Sequence, residues 1–133
     1  MKPLIWASAF AALLAGASPA LALDLNTFRA QHGRPALLVS ATLSGLAAAQ
    51  AQAMASRQRL DHKDFRQRIG AIGSTHAENV SFGCDDEDCA IRQWAKSGRH
   101  RSNMLRGDVS SYGIASAVGD NRKRYWVLEL GGE

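Results

Sequence analysis

The N-terminal segment decides how much of this chain can form a folded domain. Lys2 is followed by an apolar run from Leu4 to Leu14, and Ala20-Leu21-Ala22 supplies the small residues of a signal-peptidase site. Together these are the three regions of a secretory signal peptide. A membrane anchor is the alternative, but Pro19 and the small residues before it end the run short of the roughly 20 residues that span a bilayer. We therefore predict a signal peptide over residues 1–22.

The remaining residues, 23–133, suffice for one small domain with a single hydrophobic core. No second apolar run of spanning length follows, so we predict an exported protein, periplasmic or extracellular, whose mature chain has no transmembrane segment. The full chain has a formal net charge of +4, with acidic and basic residues mixed along it. Such mixing lacks the dense basic face of a nucleic-acid-binding domain, and no specific nucleic-acid partner is predicted. The sequence does not specify an oligomeric state.

Both cysteines, Cys84 and Cys89, lie in the exported part. In an oxidising compartment an even, closely spaced pair indicates a disulfide. A zinc site is the alternative, but two thiols are fewer than the four ligands of a structural zinc site. The acidic residues 85–88 suit the start of a helix, whose N-terminal end favours negative charge. A calcium loop is less favoured there, because the EF-hand spacing and glycine are missing.

Apolar periodicity, capping residues and turn residues predict an alternation of helices and strands. The predicted helices are 25–31 after Asp24, 41–58 after Ser40, a short turn from Phe65 to Ile69, and 87–97. The predicted strands are 79–82, 111–118 and 124–130, the last two joined by Gly119-Asp120-Asn121 as an antiparallel hairpin. Pro35 begins an extended connection, and residues 99–105 are predicted to form a turn.

Three residues stand out as candidates for a binding site. His62, Glu78 and His100 could supply two imidazoles and a carboxylate, which suit zinc or another divalent metal. Gaps of 16 and 22 residues mean that the fold would have to assemble this site, and the alternative is that the groups only satisfy polar contacts. We interpret His32 as structural and His76 as exposed. No nucleophile elbow, unpaired cysteine or phosphate-binding glycine loop is present, so covalent catalysis is not predicted.

Several short motifs occur in a fixed order along almost the whole mature chain. They are Leu25-Asn26-x-x-Arg29, Leu60-Asp61-His62, Phe65-x-x-Arg68, Ala77-Glu78-Asn79-Val80, Trp94-x-x-Ser97 with Gly98-Arg99-His100-Arg101-x-Asn103-Met104-Leu105, Tyr112-Gly113-Ile114-Ala115 and Tyr125-Trp126-Val127-Leu128. In this order they resemble bacterial CAP domains, of the superfamily of cysteine-rich secretory proteins, antigen 5 and pathogenesis-related proteins. The resemblance implies an α+β fold, an α-β-α sandwich with a small antiparallel sheet between helical layers.

The resemblance also implies a central cleft. His62, Glu78 and His100 match cleft positions that hold a divalent metal in some members of the superfamily. A second glutamate of many eukaryotic members falls at Ser97 in this chain, as is common in bacterial relatives, so the acid of a full metal tetrad is missing. Ser97 and Asn103 complete the set of residues that the resemblance places at the cleft.

Three functions follow, in order of preference. The first is a non-enzymatic binding module whose cleft holds a divalent metal such as zinc or a small ligand; the resemblance suggests lipids or sterols. The second is an interaction protein that uses Arg99, Arg101, Arg106 and the Arg122-Lys123-Arg124 triplet on anionic envelope polymers. The third is a metal-assisted hydrolase, in which the metal would lower the pKa of bound water. No catalytic residue is assigned, because Glu78 cannot readily be both metal ligand and general base.

Overall fold

The computed structural model describes residues 21–70 and 75–132. The predicted signal peptide therefore lies outside the described residues, except for Leu21 and Ala22. Within the described ranges, no helix is both long enough and apolar enough to cross a bilayer.

Five helices and four strands follow one another in the described part of the chain. They are α1 (Leu25–Gln31), β1 (Leu38–Val39), α2 (Ala41–Arg57), α3 (Phe65–Ile69), β2 (Thr75–Phe82), α4 (Glu87–Ala95), α5 (Gly98–Met104), β3 (Ser111–Val118) and β4 (Arg124–Gly132). The predicted helices α1 and α2 and the predicted hairpin of β3 and β4 are confirmed to within two residues. The segment predicted as a turn at 99–105 is instead the helix α5.

Side-chain caps fix where three of the helices begin. Asp24 accepts a hydrogen bond from the backbone N–H of Thr27 at the start of α1. Ser40 accepts one from the backbone N–H of Leu43 at the start of α2. Asp86 accepts from the N–H of Cys89 and so caps α4, which confirms the capping interpretation of the acidic run. Each such cap contributes about 1 kcal/mol. Ser97, at the start of α5, makes no side-chain cap.

The four strands form one sheet in the order β1-β3-β4-β2. The pairs β2/β4 and β3/β4 are antiparallel as predicted, but β1 pairs with β3 in parallel through two residues. The sheet is therefore antiparallel as predicted except at this edge, where the short strand β1 makes it mixed. The long connection from β1 to β3 runs through helices and permits parallel pairing. Strand β2 also begins earlier than predicted, so His76 is a half-buried strand residue and not an exposed turn residue.

Helices cover both faces of the sheet, which confirms the α-β-α sandwich. On one face, α2 packs against β3 and β4, with Val80 of β2 at the border of this core. The buried residues are Ala47, Ala51, Met54, Ala55, Val80, Tyr125 and Val127. On the other face, α1, α4 and α5 share a second core; its largest members are Leu25, Phe28, Ile91, Trp94, Met104, Trp126, Leu128 and Leu130. Each fully buried large apolar side chain contributes roughly 2 kcal/mol.

Helix α2 lies unusually close to β3. A Cβ atom at Gly113 would overlap the backbone of Leu43 and Ser44 in the first turn of the helix. Glycine is therefore required here by close approach of two backbones. This contact fixes the position of α2 on the sheet.

A buried cation ties α1 to the opposite end of α5. Arg29 is 1% exposed, and its guanidinium donates to the carbonyl oxygens of Pro35 (2.9 Å), Met104 (2.8 Å) and Arg106 (2.9 Å). Burial lowers the pKa of Arg29, and the nearby charge of Arg34 lowers it further. The guanidinium satisfies the last carbonyls of α5, which have no partner within the helix.

The predicted disulfide between Cys84 and Cys89 is confirmed. It links the end of the turn after β2 to the first turn of α4. Only five positions separate the two cysteines, so the bridge shapes this corner of the molecule and closes no long loop.

Candidate ligand-binding cleft

The predicted site residues gather along the free edge of the sheet, which is strand β2. His62 comes from the loop after α2, on one side of this edge, and Glu78 lies in β2 itself. His100 comes from α5, on the other side, and lies close enough for the charge of His62 to lower its pKa. The fold thus brings the three residues to one edge from different elements, as their wide spacing in the sequence required.

Glu78 is the centre of a buried hydrogen-bond network. Its Oε1 accepts from His62 Nδ1 (2.8 Å) and from Arg68 Nη2 (3.1 Å), and its Oε2 accepts from Arg68 Nη1 (2.7 Å). Arg68 Nη1 also donates to Glu129 Oε1 (3.2 Å). The His62 side chain is 53% exposed whereas the Glu78 side chain is 1% exposed. Glu78 therefore orients the His62 ring through its Nδ1 edge, and the rest of that ring is exposed to solvent.

The two glutamates of this network carry a single negative charge. Glu78 and Glu129 are directly paired across β2 and β4. Burial alone would raise the pKa of Glu78, but hydrogen bonds from His62 and Arg68 outweigh burial and lower it to about 2. Burial and the adjacent Glu78 carboxylate raise the pKa of Glu129 to about 10. At neutral pH Glu78 is thus ionised and paired with Arg68, and Glu129 is a neutral acid.

His100 is held by its backbone rather than by its ring. Asn79 Nδ2 donates to the His100 carbonyl (2.9 Å), and Asn103 Nδ2 donates to Asn79 Oδ1 (2.9 Å). Burial lowers the pKa of His100, with the charges of His62 and Arg99 as further causes. The His100 ring forms no hydrogen bond within the described part of the chain. Asn103, which was predicted to lie at the cleft, positions α5 against β2 from behind.

A cavity of about 410 Å³ opens beside His100. Its wall contains four apolar residues and four uncharged polar ones. These are Leu60, Val80, Phe82 and Trp94, with Ser81, Gln93, Ser97 and His100. Leu60 and Phe82 are about 40% exposed and form the rim, whereas Trp94 is fully buried. Ser97, the residue at the position of the missing family glutamate, lies in this wall.

The residues present do not fit the predicted metal site. Both carboxylate oxygens of Glu78 are already bonded to Arg68 or His62, and Arg68 adds a positive charge beside the place where a cation would sit. This leaves at most two imidazoles, fewer than the three or four protein ligands of zinc sites. In residues 21–70 and 75–132, no group of three His, Cys, Asp or Glu side chains could hold a metal ion. Glu78 orients His62 and is not placed as a ligand.

Two members of the network were not among the predicted site residues. Arg68 was noted only as part of a family motif, and Glu129 was counted as a strand residue. Glu129 does carry a signal, because it is the one acid inside the apolar strand from Tyr125 to Leu130. A charged residue in a fully buried strand position usually has a partner. The identity of that partner depends on strand register, which the sequence does not display.

The structure is a three-layer sandwich with a cleft at the edge of its sheet. This is the architecture implied by the resemblance of the sequence to CAP domains. Residues 24–130 match the cysteine-rich secretory protein family, CAP. Because this match covers most of the chain, the protein belongs to that family.

Solved bacterial structures have the same fold. An outer surface protein of Borrelia burgdorferi superposes with a TM-score of 0.73 at 17% identity, covering 82% of this chain and 86% of the other. An extracellular SCP-domain protein of Bacillus anthracis gives a TM-score of 0.68 at 20% identity, covering 82% and 38% of the two chains. A cysteine-rich secretory protein of Staphylococcus aureus gives 0.64 at 22% identity, covering 82% and 36%.

In sequence, the chain is 27% identical over 97 residues to the protein YkwD of Bacillus subtilis. The match covers 67% of this chain but only 38% of the Bacillus protein. The chain therefore spans well under half the length of that relative and corresponds to one part of it.

Proposed function

We propose that this protein is an exported, non-enzymatic binding module whose cleft takes an uncharged, mainly apolar organic molecule. The observation that carries the proposal is the half-buried ring of His100, which lines the cavity and forms no hydrogen bond within the described residues. Both ring nitrogens are therefore available to a polar group of a ligand in the cavity. A volume of about 410 Å³ falls in the range of small-molecule sites, roughly 300–1,000 Å³.

The lining supports the chemical class of the ligand. Among the residues that the structure describes, no Asp, Glu, Lys or Arg lines the cavity, so a charged ligand would be desolvated there without a counter-charge. Leu60 and Phe82, each about 40% exposed, offer apolar surface to the body of the ligand. The lowered pKa of His100 keeps its ring neutral, with one N–H donor and one acceptor nitrogen. A hydroxyl or amide group matches such a ring, and the lipids and sterols suggested by the family resemblance include molecules of this kind.

The network beside the cavity supports binding rather than turnover. Glu78 is ionised but fully occupied by His62 and Arg68, and Glu129 is protonated, so neither carboxyl is placed to accept a proton from a substrate. Metal-assisted hydrolysis is disfavoured further because the donor set does not fit a metal. Interaction with anionic envelope polymers remains a separate proposal that concerns other surfaces.

Export is supported by the predicted signal peptide and by the relatives. The Bacillus anthracis protein is described as extracellular and the Borrelia burgdorferi protein as an outer surface protein. The disulfide is also of a kind that persists in oxidising compartments.

Binding of Nile red, an uncharged dye whose fluorescence rises in apolar surroundings, tests the proposal. Leu60→Ser should weaken binding roughly tenfold, because apolar contact area at the rim is lost. Leu38→Ser is the matched control: Leu38 is 76% exposed on β1, at the opposite edge of the sheet, and this change should leave binding unaltered. Equal losses in both variants would contradict the proposed location.

Competition experiments test the ligand class. 1-Octanol should displace the dye whereas octanoate should not, since only the carboxylate pays for burying a charge. Equal displacement by both would overturn the assignment of an uncharged ligand.

Calorimetric titration with zinc tests the metal hypothesis separately. We expect the wild type and the His62→Ala/His100→Ala double variant to give the same result. Zinc binding by the wild type that is lost in the double variant would restore the metal hypothesis.

A further inference from the structure

A second, strongly basic groove lies on the helical layer formed by α1, α4 and α5. It has a volume of about 490 Å³ and is bounded by the segment after α1, by the C-terminal half of α5 and by the residues leading to β3. Arg34, Arg101 and Arg106 line it together with Asp108. None of these residues lines the cleft beside β2.

The groove has a large excess of positive charge. Arg106 is neutralised by Asp108 through two short contacts (2.8 and 2.7 Å). Arg34 and Arg101 form no ion pair with any carboxylate in the described ranges. Arg29 lies behind the groove, is likewise bonded only to carbonyl oxygens, and is close enough for the charge of Arg34 to lower its pKa. Among the described residues, three guanidinium groups therefore line the groove with a single carboxylate, and a fourth lies buried behind it.

Arg101 is already positioned for binding. Its guanidinium lies over the Phe28 ring, 5.7 Å from the centroid, and its Nη2 donates to His32 Nε2 (3.0 Å). His32 Nδ1 donates in turn to the Phe28 carbonyl (2.8 Å), so His32 accepts as a neutral ring. Because the acceptor is neutral, the charge of Arg101 is not cancelled and its other N–H groups remain for a ligand.

Carbonyl groups of the protein that would repel an anion in the groove are also occupied. The end of α5 carries negative partial charge, which would repel an anion. Its carbonyl at Met104 and the carbonyl of Arg106 are both occupied by Arg29. The buried arginine thus converts an unfavourable helix end into a surface that tolerates an anion.

We propose that this groove binds a phosphate monoester group. A phosphate dianion offers three terminal oxygens to the planar guanidinium forks of Arg34, Arg101 and Arg106, which suit phosphate better than point charges do. Its double charge also matches the uncompensated charge of Arg34 and Arg101. A carboxylate would supply only half of that charge and two oxygens. The site is independent of the proposed function, since the two cavities share no residue.

Calorimetric titration of the whole protein with inorganic phosphate, at a pH where the dianion dominates, measures the site. Arg34→Gln should weaken binding about tenfold or more, the usual effect of losing a charge-assisted contact. The Arg34 side chain forms no hydrogen bond within the described chain, so folding should be unaffected. Arg122→Gln makes the same change of charge at the β3–β4 turn and should leave the affinity within about twofold. Equal losses in the two variants would overturn the proposal.

A gain-of-binding variant protects the test against misfolding. Asp108→Asn removes the only carboxylate of the groove and releases Arg106, so it should tighten phosphate binding severalfold; weaker or unchanged binding would contradict the site. Vesicles of phosphatidylcholine with and without phosphatidic acid distinguish a lipid headgroup from a soluble phosphomonoester. Arg34-dependent binding to phosphatidic acid indicates a membrane source, and phosphate binding without vesicle binding indicates a soluble one. Absence of both would refute the proposal.

Discussion

The substitution Glu129→Gln is the sharpest test of the buried carboxyl pair. Gln has nearly the shape of a protonated glutamic acid and cannot ionise. The side chain of Glu129 is 0% exposed, and its pKa is raised to about 10 by burial and by the Glu78 carboxylate. If Glu129 is a neutral acid in the folded protein, Gln should replace it at little cost.

The magnitude follows from proton linkage. A group whose pKa is raised on folding keeps its proton in the folded state after the unfolded chain has lost it. Stability from this group is therefore fully present below the unfolded pKa and falls as the pH rises toward the folded pKa, by about 1.4 kcal/mol per pH unit. From about pH 5 to about pH 7 the Glu129→Gln variant should thus gain up to about 3 kcal/mol relative to wild type.

Urea denaturation of both proteins from about pH 5 to about pH 8 measures this difference. Effects of all other titrating groups cancel when the two curves are subtracted. A difference that stays constant across this range would refute the reasoning, because it would mean that Glu129 is ionised in the folded protein. A difference of opposite sign would refute it equally.

Three further substitutions test other contacts. Glu78→Gln should destabilise the protein by up to about 3–5 kcal/mol, because Arg68 loses its ionised partner and keeps only the contact with Glu129 (3.2 Å); a loss below about 1 kcal/mol in urea denaturation would show that Glu129 ionises and takes over the pairing. Arg29→Met should cost on the order of 3 kcal/mol, since three carbonyl oxygens lose a charged donor, and an unchanged melting temperature would contradict the proposed tether. Gly113→Ala should cost about 2 kcal/mol or more through overlap with α2, whereas Gly45→Ala, which has open space within α2, should stabilise by about 0.5–1 kcal/mol; similar melting temperatures for the two would refute the close approach.

Local chemistry made most of the secondary structure predictable. Helix α1 begins at a capping aspartate and ends before Gly33, whose φ of +70° a glycine adopts without strain. The turn between β3 and β4 contains Gly119 and Asn121, which are typical of hairpins. Elements without such signals were missed or shortened: β1 has only two residues, and α5 has no side-chain cap.

Some candidate site residues could be proposed from the sequence, but their roles and the other members of their network could not. The two histidines and Glu78 were found because imidazoles and acids beside apolar anchors are uncommon. Their roles depend on Arg68 and Glu129, which reach Glu78 through the pairing of β2 with β4 and the placement of α3. Pairing register is a tertiary property, so a carboxylate expected to bind a metal turned out to be occupied by a guanidinium.

The close contact between α2 and Gly113 fixes the position of the helix. Only the part of the cleft outside α2 can therefore change its shape. The loop that carries Leu60 and His62 is bracketed by Gln58 and Asp64, two residues with positive φ angles of 52° and 57°. We expect any adjustment to a bulky ligand to occur in this loop, while the helix behind it stays in place. The hydrogen bond between His62 and Glu78 would then restrain the motion of the loop. Hydrogen exchange of the loop amides should therefore be faster in Glu78→Gln than in the wild type, and unchanged exchange rates would contradict this restraint.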